Sequence, residues 1–163
     1  MSAVEKLIRK GIADDPEDFS LRLELGEKLA ARQADDEMSN LMAEAPVVPD
    51  SAGEMHRFLE LAAQCQVGDE IVNEFVAKYV AAQPADAWGH HVYALGLSRI
   101  GEDEQARRHY DAARKLNPDT RDAALEAALA AMKVEVPKDA EGNLDALVEL
   151  AEKATSVTVP GND

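Results

Sequence analysis

Residues 84–118 read PADAWGHHVYALGLSRIGEDEQARRHYDAARKLNP, and this stretch decides the fold. Asp86 follows a Gln83-Pro84 break and restarts the chain as a helix, which runs to about Ile100. Gly101-Glu102-Asp103 is a turn. Ala106, Tyr110 and Ala113 follow at helical spacing on a second helix that ends near Leu116. Asn117-Pro118 closes it. The stretch is therefore a helical hairpin bounded by two prolines.

The bounding prolines belong to a wider comb. Pro84 and Pro118 stand 34 residues apart, and Pro16 stands two such intervals before Pro84. The missing position is Asp50, with Pro49 beside it. The tenth residue after each comb position is Gly26, Glu60, Ala94 or Ala128. Three of the four are small, and a small residue lets two helix axes approach. Glu60 breaks the pattern, so Ala62 or Ala63 is expected to fill that slot.

Outside this stretch the chain is also helical in pattern. Val4, Leu7, Ile8 and Ile12 fit one stripe. Asp15-Pro16 reads as the start of the next helix, which carries Phe19, Leu23, Leu25 and Leu29. Met38, Leu41 and Met42 share a side of a shorter segment, and read as core. Ser51-Ala-Gly-Glu54 has the form of a capping box. Met55, Phe58, Leu59 and Ala62 continue it. Gly68-Asp69 restarts the chain for Ile71, Val72, Phe75, Val76 and Tyr79. A further Ala-rich helix follows Asn117-Pro118 and runs to about Lys133. Residues 134–143 read as a loop, and Leu144, Leu147, Val148 and Ala151 as a last short helix. The expectation is an all-α chain of about nine helices.

A 34-residue period of helix–turn–helix units resembles the tetratricopeptide repeat. Within residues 86–118, His90, Tyr93, Ala94 and Leu97 occupy the W, L, G and Y slots of that family's consensus. Ala106 and Tyr110 fill its A-x₃-F pair, and Pro118 closes the unit. The units at 17–50 and 51–84 match more loosely. The resemblance covers roughly residues 16–133. It implies a right-handed α-solenoid of about three helix–turn–helix units with capping helices. Residues 1–15 would be an N-terminal helix, 134–155 a loop and C-terminal helix, and 156–163 a tail.

Composition narrows the function. The 163 residues hold 17 Lys+Arg against 32 Asp+Glu, a formal net charge of -15. That charge repels nucleic-acid phosphates and anionic membranes. No apolar run approaches the ~18 residues of a membrane span, and the first residues form no signal region. Cytoplasmic location is the expectation. Aromatics are only 4% of the chain, so small residues must supply close packing.

Few residues suggest chemistry. His90 and His91 are adjacent, so on a helix they point about 100° apart, whereas zinc prefers i, i+4 spacing. Cys65 lacks the flanking residues of a catalytic thiol and reads as quiet and partly buried. A metal protein or enzyme using His90, His91 and Cys65 is the alternative of a different class. Acidic runs at Asp14-Asp15, Asp35-Asp36-Glu37 and Glu102-Asp103-Glu104 read as helix starts, where they favour the dipole. No cofactor is implied.

The tetratricopeptide resemblance implies a concave face lined by the first helix of each unit. Carried onto this chain, that face holds Trp88, His91, Leu95 and Arg99, with Arg57 and Leu61 from the preceding unit. The function implied is a non-catalytic adaptor or scaffold that binds a segment of another protein. Its partner segment would be basic or amphipathic. A small acidic chaperone for a secreted or assembling substrate is the related alternative. Trp88 as a cover for the joint between units is the competing structural reading.

Overall fold

The computed structural model describes residues 2–132, and among them every regular element is a helix. These are α1 (Ala3–Asp14), α2 (Phe19–Ala31), α3 (Asp35–Ala43), α4 (Ala52–Gln64), α5 (Asp69–Ala82), α6 (Ala87–Arg99), α7 (Asp103–Leu116) and α8 (Ala123–Met132). The expected ninth helix at Leu144–Ala151 and the loop before it lie outside the described residues. Two compact units divide the chain, Met1–Leu125 and Glu126–Asp163. The first holds α1 to α7 and the opening of α8, and it is the subject below.

Helix starts follow local chemistry. Asp18, Ser51 and Asp86 each accept a hydrogen bond from a free backbone N–H of the helix they open, at Ser20, Glu54 and Trp88. Asp122 does the same for Leu125 at 3.0 Å. These bonds satisfy donors that the first turn leaves unpaired. Asp15-Pro16 is not the start of α2, as the sequence suggested. Pro16 lies in a turn, and Asp18 caps the helix two residues later. Asp15 instead terminates α1, its N–H bonding to the Gly11 carbonyl. Asp14 and Asp15 therefore sit at the negative end of a helix dipole. Lys10 offsets this by pairing with Asp14 at 2.9 Å.

Three helices end in the same way. Gln33, Gln66 and Gly101 take positive φ of 54°, 55° and 82° after α2, α4 and α6. The next residue's N–H reaches back five residues each time: Ala34 to Leu29, Val67 to Ala62, and Glu102 to Leu97, at 2.9–3.0 Å. This left-handed turn satisfies carbonyls at the helix end and swings the chain into the following helix. The helices that follow, α3, α5 and α7, begin at Asp35, Asp69 and Asp103, two intervals of 34 residues. The spacing suggested by the prolines is thus present in the helix starts.

Packing pairs α2 with α3 and with α4, α3 with α5, α5 with α6, and α6 with α7. The three phenylalanines of the chain form one cluster across α2, α4 and α5. Phe58 stands 4.9 Å from Phe19 and 5.3 Å from Phe75 by ring centroids. Gly26 faces this cluster. A Cβ there would meet Phe58 at 3.2 Å, so its absence sets how closely α2 and α4 approach. The α6/α7 hairpin uses alanines instead. Ala94, Ala106 and Ala113 are fully buried. Met38, Met42 and Cys65 are core residues. At the shifted slot, Ala62 is buried while Glu60 and Ala63 are exposed.

The α1 stripe differs from expectation. Ile8 is buried, but Val4 and Leu7 are 48% and 70% exposed. Glu5 takes an inward position and is 5% exposed. It receives two hydrogen bonds of 3.1 Å from the Arg32 guanidinium. That two-pronged, charge-assisted pair orients α1 more strongly than Leu7 does.

Candidate functional site

Side-chain contacts link α2 to α4, α4 to α6, and α6 to Asp122. Arg57 on α4 pairs with Glu27 on α2 at 3.4 Å. His56, one residue before it, lies 5.7 Å from the Trp88 ring on α6. His91, three residues further along α6, meets Asp122 at the start of α8 at 2.8 Å. A carboxylate only accepts, so His91 Nε2 carries the proton in this bond. The Tyr110 hydroxyl accepts the Asp122 backbone N–H at 2.8 Å, which fixes that corner. The bonds from Leu125 and His91 hold the Asp122 carboxyl below its usual range, the Leu125 amide contributing most.

Six residues were expected to meet a partner, and the structure distributes them. Trp88, His91, Leu95 and Arg99 lie along one side of α6, at spacings of three and four residues. Trp88 is half-buried and packs on the core, with its ring edge-on to Tyr79 at 6.1 Å. It bridges α6 to α5 through Tyr79 and to α4 through His56. Leu95 is partly exposed and Arg99 is exposed. Arg57 is exposed but engaged by Glu27 and Glu60. Leu61 is 1% exposed and belongs to the core cluster, not to a partner-facing surface. The reason is register: Phe58, Leu61 and Ala62 form the buried stripe of α4, so Leu61 turns inward.

The histidine pair separates as its spacing implied. His90 is buried and turns to α7, while His91 turns to Asp122. Sequence reasoning did not find His109, which faces His90. The two Nδ1 atoms lie 2.9 Å apart, with rings stacked at 5.1 Å. His90 Nε2 lies 2.8 Å from the Pro84 carbonyl, an acceptor, so it carries a proton. In the neutral pair His90 Nδ1 therefore accepts and His109 Nδ1 donates. Burial, and then the neighbouring His90, depress the His109 pKa. The available signal was the repeat slot itself, since His90 and His109 sit on the facing sides of one hairpin.

Cys65 is fully buried, and burial raises its pKa. It makes a core thiol and not a nucleophile. Among the described residues no group of three His, Cys, Asp or Glu side chains could hold a metal ion. No helix among them is long and apolar enough to cross a membrane.

Comparison with family models, with curated proteins and with solved structures finds no match to this chain.

Proposed function

We propose that the chain is a tetratricopeptide-like interaction module, a non-catalytic adaptor that binds a segment of another protein. In this reading the hairpins α2/α3, α4/α5 and α6/α7 are its units, stacked as a short right-handed solenoid. The partner segment lies along the first helices and is basic or amphipathic.

One observation carries the reading. Glu27–Arg57 links α2 to α4, His56–Trp88 links α4 to α6, and His91–Asp122 links α6 to the segment after α7. A run of neighbouring helices in sequence order is what an extended ligand needs from a receptor. Leu95 and Arg99 remain accessible beside them. Further support comes from burial at the consensus-like positions. His90, Ala94, Leu97, Ala106 and Tyr110 are buried, and Tyr93 is partly buried. Charge favours a basic partner at long range. The segment 87–120 itself carries five basic and five acidic residues, so contact there is set by shape and apolar area.

The test is capture from native lysate. The full chain is expected to retain one stoichiometric partner, and Leu95→Ala/Arg99→Ala to lose it while keeping the thermal midpoint. Both side chains are outside the core, so a folded double variant is expected. Equal capture by that variant would overturn the assignment of the face.

A further inference from the structure

Arg22 is 7% exposed, on the inner side of α2 between Phe19 and Leu25. A guanidinium carries five N–H donors. The protein uses one of them, Nη1, for a 3.3 Å bond to the Leu41 carbonyl. Its Nε is buried and has no hydrogen-bond partner. Among the described residues no carboxylate forms an ion pair with it. Burial lowers its pKa, and the nearby Glu44 opposes this only in part. A charge buried without a partner is costly, and proteins rarely keep one that nothing uses.

Arg22 also lines a cavity of about 440 Å³ between α1, α2 and α3. That volume is in the range of small-ligand sites. One wall is apolar, made by Ile12, Leu25 and Leu41. A second guanidinium, Arg9, enters from α1. It pairs with Glu37 at 2.8 Å through Nη2, and its Nε is likewise buried without a partner. Two guanidiniums therefore border one hollow whose other side is hydrocarbon. Glu37 and Glu44 lie on the lining as well, and they disfavour a second negative charge.

We propose that this cavity is a binding site for a small monocarboxylic acid with an apolar chain. The carboxylate pairs with the accessible side of the Arg22 guanidinium, and the chain lies on Ile12, Leu25 and Leu41. A guanidinium matches a carboxylate in two-pronged geometry, which suits it to this role better than a lysine. A dianion such as phosphate lacks the apolar body and meets the two glutamates. The site is separate from the α6 side and does not depend on its function.

Hexanoate, hexanamide and inorganic phosphate are the probes, titrated into the full chain at pH 7 by NMR of the arginine Nε–H signals. Hexanoate is expected to shift the Arg22 signal and to bind about tenfold tighter than hexanamide. Phosphate is expected to bind more weakly than hexanoate. Arg22→Met should erase the preference for the acid, and should raise the thermal midpoint of the ligand-free chain by removing a buried charge. Equal binding of hexanoate and hexanamide would overturn the proposal. So would phosphate binding as tightly as hexanoate, or a preference for the acid that survives in Arg22→Met. The comparison of probes on the unsubstituted chain decides the matter even where the variant fails to fold.

Discussion

Asn73 on α5 closes over Gly96 on α6, its side-chain Nδ2 donating to the Gly96 carbonyl at 3.1 Å. The approach leaves no room for a methyl group. A Cβ at Gly96 would collide with the Asn73 amide oxygen and stand 3.0 Å from its Cγ. Asn73 is itself buried and held by the bond it makes, so it has little freedom to yield. Gly96→Ala is expected to destabilise the fold by about 1–3 kcal/mol, against the gain in helix propensity that alanine brings elsewhere. Asn73→Ala removes the obstacle. In the double variant part of the loss should return, a coupling of about 1–2 kcal/mol in denaturant melts. Additive losses would show that the two residues do not constrain each other.

The three left-handed turns give a prediction of opposite sign. Gln33 and Gln66 hold a conformation that costs an L-residue about 1 kcal/mol, whereas Gly101 holds it without that cost. Gln33→Gly and Gln66→Gly should each stabilise by about 0.5–1 kcal/mol, and Gly101→Ala should destabilise by about 1 kcal/mol. The Gln33 variant also loses a side-chain bond to the Ala30 carbonyl, so its gain should be the smaller one. Thermal melts of the three single variants check this.

Acid is expected to act in two steps. His109 has a depressed pKa in the folded chain, so the unfolded chain binds its proton first. Stability from this group is complete above about pH 6.5 and falls as the pH drops below that, at no more than about 1.4 kcal/mol per pH unit. His109→Phe keeps a ring against His90 and Tyr93 but cannot titrate, so it should flatten this upper step. Glu5 and Asp122 also have lowered pKa values, from the Arg32 hydrogen bonds and from the Leu125 amide and His91. As carboxylates they stabilise above about pH 4.5 and lose that contribution below it. Glu5→Gln should shrink the lower step and leave the upper one. Urea melts at half-unit pH intervals separate the two.

Trp88 has a structural share that any binding experiment must allow for. Its ring lies against Tyr79 and His56 and covers the joint before α6. Trp88→Ala is expected to cost about 2 kcal/mol, less than a fully buried tryptophan would. Trp88→Phe should recover most of it. A Trp88→Ala variant as stable as the parent would assign the ring to the partner instead of the joint.

The helical class, the hairpin turns and the 34-residue interval could be read from Pro84, Pro118 and the apolar spacing. Those features are local, and local signals survive folding. What the sequence did not disclose was which face of a helix wins when polar and apolar residues compete. Leu7 fits the apolar stripe of α1, yet Glu5 turns inward because Arg32, 27 residues away, supplies two hydrogen bonds. Leu61 stands 34 residues before Leu95, so a strict repeat assigns it to the same face. Helix α4 starts 35 residues before α6, not 34, and Leu61 turns inward. Arg22 sits at core spacing between Phe19 and Leu25, and that spacing was the one sign of its burial. The meeting of His90 with His109 depends on the angle between α6 and α7, which no single-helix pattern encodes.

Binding along the first helices is tested most directly by mapping a ligand on the chain. A peptide selected from a random library on the immobilised protein would be titrated into the ¹⁵N-labelled chain and followed by NMR. Amide shifts concentrated at Trp88, His91, Leu95 and Arg99, with smaller ones at Arg57, are the predicted result. Shifts confined to the outer side of α7, or a selection that yields no peptide of better than millimolar affinity, would contradict it.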